Sequence, residues 1–188
     1  MVKIKGVNLS SGLKSNEARF GKESLKRLLD SLSDEDKKVF ASTILDSAWY
    51  PLDVFVHYIE KSFEQNYKGN VEEYKKTVHD ATELQLKGVY RSFLALGTVE
   101  KIVHELGRIT HQYFQGITVK TEELAEGKVR VIYEGFEKQH AFYEISVQAW
   151  WEKVLGMLGI AKDIKVQIIT SIGAGKGILE LLLTWNKK

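Results

Sequence analysis

A helix that is apolar around most of its circumference must be covered on more than one side, and residues 140–158 form such a stretch. Phe142, Ile145, Val147, Ala149, Trp150, Trp151, Val154, Leu155, Met157 and Leu158 leave it almost no polar face. It sits between two strand pairs. Residues 117–124 and 128–133 flank Ala125-Glu126-Gly127, and residues 164–169 and 178–185 flank the glycine-bearing segment 171–177. Each pair reads as a β-hairpin closed by a glycine-bearing turn. The long helix is therefore expected to rest on a sheet on one side and on a helical half, or a second subunit, on the other.

The first half carries no convincing strand beyond an extended start at residues 2–7. Phe20, Leu25, Leu28, Leu29 and Leu32 fall at mostly helical spacing, which predicts an amphipathic helix over 16–32. Ser33 with Asp36 makes a capping-box variant opening a second helix through Val39, Phe40 and Ile44. Pro51 suits the first turn of a third, with Leu52, Phe55, Val56, Ile59 and Phe63 as its buried stripe. Asn70 and Glu73 open a fourth helix through Tyr74, Val78, Ala81 and Leu84 towards Gly88, a break or a close packing point. Thr98 caps a fifth, ended by Gly116. The fold class that follows is α+β: a mainly helical half, 1–116, packed on a small antiparallel sheet of two hairpins with the apolar helix between them, residues 1–188 forming one domain.

Bulk properties exclude more than they assign. With 44% hydrophobic residues over 188 positions the chain can bury a sizeable core. Its 27 basic and 25 acidic side chains are interspersed, which gives no electrostatic footprint for nucleic acid or an anionic membrane. The absence of cysteine removes disulfides, thiolate chemistry and Cys-ligated metals. The expectation is a cytoplasmic protein without signal peptide or membrane span.

Three motifs invite chemistry. Gly173-Ala-Gly-Lys-Gly177 suggests a phosphate loop, but no Gly-Lys-Ser/Thr pattern is present and the residues that follow read as strand; glycines at a hairpin tip explain it. His104-Glu105 begins like a zinc-protease helix, but Arg108 stands where the second histidine belongs, and arginine cannot ligate zinc. His104, Arg108 and His111 share a helix stripe. That stripe is a solvated face or, on the sharper reading, a surface on which Arg108 holds an anion. His57, His79 and His140 are scattered singly and read as structural or exposed. The carboxylate pairs Glu72-Glu73 and Glu122-Glu123 lie in charged stretches without the burial that general acid catalysis needs.

Large rings are abundant: Trp49, Tyr50, Phe55, Tyr58 and Phe63 early, Phe136, Phe142, Tyr143, Trp150 and Trp151 late. Most belong to the core, yet helices over a small sheet can leave an apolar pocket between the layers. Trp150 and Trp151 point about 100° apart, so one can be core while the other lines a pocket or an interface.

Through the early Lys5-Gly6 strand, the Trp49-Tyr50-Pro51-Leu52 step into a helix, the Gly-ended fifth helix and the closing hairpin that finishes in Leu-Thr-Trp185, the chain resembles a family of unknown function of about 200 residues best represented in myxobacteria. The order of elements also resembles the wider superfamily of haem-nitric-oxide-binding sensor domains and vinyl-reductase-type ligand-binding domains. The resemblance implies the architecture and a ligand pocket. In the haem branch a proximal histidine precedes a strand whose Tyr-x-Ser-x-Arg motif holds the haem propionates. His104 and Tyr133 stand in comparable places, but Gly135 replaces the hydroxyl residue and Glu137 the arginine.

The expectation is a non-enzymatic sensor or interaction domain without cofactor. It would be homodimeric through its aromatic helix and would bind a small apolar or carboxylate ligand or a protein partner, through Trp49, Tyr50, His104, Arg108, Tyr133, Trp150 and Trp151. A haem gas sensor with His104 as axial ligand is the alternative, and an enzyme using the His104–Arg108–His111 stripe the third reading.

Overall fold

A computed structural model describes residues 1–87, 95, 98–158 and 161–187. In chain order the elements are β1 (Lys3–Lys5), α1 (Gly6–Phe20), α2 (Lys22–Asp30), α3 (Asp34–Phe40), β2 (Trp49–Pro51), α4 (Leu52–Ser62), a π-helical turn (Phe63–Tyr67) and α5 (Val71–Lys87). There follow α6 (Val99–Tyr113), β3 (Phe114–Gln115), β4 (Thr118–Ala125), β5 (Lys128–Glu134), α7 (Ala141–Met157), β6 (Ala161–Thr170), a 3₁₀ turn (Ile172–Ala174) and β7 (Ile178–Lys187).

The two hairpins join into one antiparallel sheet of order β4-β5-β7-β6. Pairing Val129 with Leu183, Val131 with Leu181 and Tyr133 with Leu179 puts every second residue of β5 and β7 on one face, and that face is buried. Edge strand β4 carries Lys120, Glu122 and Glu123 and is largely exposed, as an unpaired edge requires. Helix α7 lies between this sheet and helices α4 and α5. Its two covered sides explain its lack of a polar face, and both are covered by its own chain.

The first half departs from its sequence pattern in three places. The helix expected over 16–32 is two helices, broken at Gly21, whose φ of 82° ends α1 and whose position opens α2. Helix α1 starts ten residues earlier than expected, at Gly6, so Val7 is helical and not extended. Trp49–Pro51 is a short strand pairing with β1, which pairs in turn with Phe114–Gln115, making a second antiparallel sheet β2-β1-β3. Pro51 thus ends a strand and stands at the N-cap of α4, not inside its first turn. The caps follow expectation. Ser33 Oγ accepts from Asp36 N at 3.1 Å, Asn70 Oδ1 from Glu73 N at 3.1 Å and Thr98 Oγ1 from Lys101 N at 3.2 Å. Gly88 lies outside the described residues.

Helices α5 and α7 are joined along a polar seam. Tyr74 Oη and Ser146 Oγ are 2.5 Å apart in the interior, while Lys75 meets Glu152 at 2.8 Å and Lys153 meets Glu83 at 2.5 Å nearer the surface. The bonds from Lys153 and Lys87 hold the Glu83 carboxyl at about 2, well below its ordinary value. For Glu152, burial acts to raise the pKa, but the His79 ring 3.6 Å away and the bond from Lys75 outweigh it and the net direction is down.

Candidate functional site

A cavity of about 150 Å³ opens between α1, α4 and α5 on one side and α6, β5 and α7 on the other. Six tyrosines among the described residues line it: Tyr58, Tyr67, Tyr74, Tyr113, Tyr133 and Tyr143. Phe55, Phe114, Phe136 and Trp150 add rings, and Val78, Ala81 and Val147 add aliphatic surface. No charged side chain and no histidine lines it among the described residues.

Burial raises the pKa of the phenols, that of Tyr113 to about 12 and those of Tyr58, Tyr133 and Tyr143 further. They are neutral hydrogen-bonding groups near pH 7, with no proton to give up and no charge to offer. Three are engaged. Tyr58 Oη donates to the Gly12 carbonyl at 3.0 Å, Tyr74 pairs with Ser146, and Tyr133 Oη accepts from Trp151 Nε1 at 3.0 Å.

The helical wall owes its shape to the π turn after α4. Widening the helix there brings Phe63 and Tyr67 into a stack with centroids 6.4 Å apart, and Tyr67 meets Phe20 and Tyr74 edge-on at 5.1 and 5.4 Å. Lys68, left-handed at φ 49°, and Gly69, at φ 83°, then turn the chain into α5. Behind this wall Asn16 Nδ2 donates to Ser62 Oγ at 2.7 Å, and Asn66 Nδ2 donates to Asn16 Oδ1 at 3.3 Å.

Of the seven residues expected from sequence to bind a ligand, the cavity brings together Tyr133 and Trp150. Trp151 is fully buried just behind them, edge-on to Trp150 at 5.2 Å. Trp49 and Tyr50 lie on β2, away from the cavity. The Lys5 ammonium sits 4.0 Å from the Trp49 ring centre, and Tyr50 Oη accepts from Leu45 N at 3.0 Å. His104, Arg108 and His111 are exposed on the outer face of α6, and Arg108 pairs with Glu105 at 2.5 Å. Among the described residues the stripe is a solvated face, apart from the cavity. His57 and His140 bond to Asp36 and Asp53 at 2.9 and 2.8 Å. Among the described residues no group of three His, Asp or Glu side chains is placed to hold a metal ion.

The glycine-rich tip does bind an anion, but one from its own chain. The Glu144 carboxylate accepts from Ser171 Oγ at 2.8 Å and from Ile172 N at 3.0 Å. Tyr67, Thr77, Gln85 and Ser146, which the sequence did not single out, belong to the polar lining, with the amides of Asn8 and Asn16 and the hydroxyls of Ser62, Thr82 and Thr110.

Beyond Tyr133 the chain leaves the sheet through Gly135, at φ 107°, where an added Cβ would stand 2.2 Å from the Gly116 carbonyl oxygen. No serine fits that position without moving the backbone. Glu137 is exposed.

No protein-family model and no curated protein matches the sequence. Solved structures do match in fold. A doubly substituted Tt H-NOX superposes with a TM-score of 0.72 at 13% identity, covering 98% of this chain and 96% of that one. The Fe(II) unliganded H-NOX protein from K. algicida gives 0.67 at 14% identity, with 98% of each chain covered. An oxygen-binding H-NOX domain related to soluble guanylate cyclases gives 0.66 at 13% identity, covering 98% and 96%. The chain has the H-NOX fold, an α+β architecture with two antiparallel sheets.

Proposed function

We propose that this chain is a non-enzymatic sensor domain that holds a small apolar ligand in its tyrosine-lined cavity and works without haem. The observation that carries the reading is the lining itself: aromatic and aliphatic surface around neutral hydroxyls and amides, with no charge among the described residues. Apolar concavities with a few placed polar groups are the usual form of small-molecule sites. A carboxylate ligand finds no cation there, so the apolar ligand is the one this cavity favours. Catalysis is disfavoured on the same ground, because phenols that burial holds protonated offer neither base nor nucleophile near pH 7.

Haem is the reading the structural relatives favour, since several of them are described as Fe(II), haem or oxygen-binding proteins. The residues present do not fit it. His104, the expected axial ligand, points to solvent from α6. Gly135 leaves no room for the motif's hydroxyl, and exposed Glu137 would repel the propionates its arginine counterpart holds. The cavity, at about 150 Å³, is half the lower bound of roughly 300 Å³ for pockets that take drug-sized ligands.

Two measurements test this. After haem reconstitution and desalting the protein is expected to show no Soret band, and native mass spectrometry of freshly purified protein is expected to show a retained species well below haem in mass. A stoichiometric Soret band that His104→Ala abolishes would replace this reading with the haem sensor.

A further inference from the structure

Four buried side-chain polar atoms have no hydrogen-bond partner among the described residues: Ser15 Oγ, Tyr67 Oη, Thr77 Oγ1 and His79 Nε2. Two of their residues, Tyr67 and Thr77, line the cavity, and they are only 5% and 8% exposed. Burial raises the Tyr67 pKa, and the Thr77 and Ser62 hydroxyls oppose that rise, so all three share one part of the wall; Ser62 is taken by Asn16, and neither hydroxyl reaches hydrogen-bonding geometry with Tyr67.

Their neighbours are not left in this way. Thr82, five residues further along α5, donates its hydroxyl to the Val78 carbonyl at 2.7 Å, the ordinary solution for a helical threonine. Thr77 has not taken it. Tyr58, Tyr74 and Tyr133 all have partners. Tyr67 reaches its place through the π turn, a helix distortion that recurs at functional sites. Two adjacent buried hydroxyls without partners lower stability, and native interiors tolerate them where something else satisfies them.

We infer that the cavity takes a small neutral amphiphile, one ring or short chain bearing a single oxygen of phenol, alcohol or ketone type, and that Tyr67 and Thr77 bind that oxygen. The inference rests on the preceding reading of the cavity as a ligand site and adds the class of ligand. Size sets one limit: a cavity of about 150 Å³ holds roughly one benzene-sized ring. Charge sets the other. A carboxylate or an amine would enter without a counter-ion, whereas a neutral oxygen can accept from one hydroxyl and, if it is itself a hydroxyl, donate to the other. Val78, Ala81 and Val147 receive the apolar remainder.

Isothermal titration calorimetry of the full chain with p-cresol and with toluene separates the parts of this proposal. The two probes differ by one hydroxyl. The wild type is expected to bind p-cresol about tenfold more tightly than toluene, a preference that two hydrogen bonds to otherwise unpaired groups supply. Tyr67→Phe combined with Thr77→Val is expected to bring the two probes within about twofold, by weakening p-cresol and not toluene. Tyr67→Phe removes an unpaired group and should fold at least as well as the parent, which a thermal melt checks. Equal binding of both probes by the wild type would overturn the ligand class and leave the cavity reading standing. Failure of both to bind, with ordered water as the only occupant, would overturn both.

Discussion

Two tyrosines face the same cavity from opposite walls, and their hydroxyls differ in kind. Tyr133, on strand β5, accepts from the indole of Trp151, so its polar capacity is used to fasten sheet to helix. Tyr67, on the π turn of the helical wall, has no partner and lies beside Thr77, which has none either. The sheet wall is thus finished by the chain itself, whereas the helical wall keeps hydrogen-bonding capacity in reserve. Ring content alone does not separate a core from a binding site. What the hydroxyls are bonded to does.

The largest expected effect lies on the finished wall. Trp151→Ala removes a fully buried indole and should cost about 3–5 kcal/mol in urea-induced unfolding, enough to expose the sheet face. Tyr133→Phe keeps the ring but leaves the Trp151 N–H buried without an acceptor, and a loss of ~1–3 kcal/mol is expected in the same assay. If the two tyrosine walls were equivalent, Tyr67→Phe would cost as much. On the present account it costs nothing measurable.

The seam between the walls should respond to acid. Glu83 and Glu152 have folded-state pKa values below the ordinary carboxylate value of 4.5. A depressed folded pKa means that stability is present above the unfolded pKa and is lost as pH falls through the folded one. Urea midpoints should therefore hold above about pH 5 and decline from about pH 4.5 towards 2, and Glu83→Gln should flatten the lower part of that decline. The smallest effect belongs outside the cavity. Alanine at His104, Arg108 and His111 together should change stability by no more than about 0.5 kcal/mol, because the stripe is exposed and the Arg108–Glu105 pair is screened by water. It should leave toluene binding untouched.

Residue pattern carried the two hairpins, the capped helix starts and the doubly covered helix, because alternation and 3.6-residue periodicity report burial directly. It did not carry the second sheet. Strands of two or three residues, such as Phe114–Gln115 and Trp49–Pro51, are too short for alternation to register, and their pairing with β1 is a long-range event. The pattern also ran past Gly21, since apolar positions on both sides of the break keep nearly the same spacing.

The site was legible only in part. Trp150 could be picked out as one of two neighbouring rings that point about 100° apart on a helix, and Tyr133 only through the resemblance to the haem-binding branch. His104, Arg108 and His111 correctly shared a face, but spacing fixes which residues share a face and not which face looks inward. Tyr67 and Thr77 gave no signal at all. The π turn inserts its extra residue without a proline or glycine to mark it, and an unpaired hydroxyl is a property of the packed state alone.

The most direct test of the central claim is an NMR titration of the full chain with toluene, followed through backbone amide shifts. The account predicts saturable shifts concentrated in α5 near Tyr74, Thr77 and Val78 and in α7 near Ser146 and Val147, the two walls that meet at the cavity. Shifts confined to the outer face of α6 around His104 and Arg108, or no shifts at toluene saturation, would contradict it.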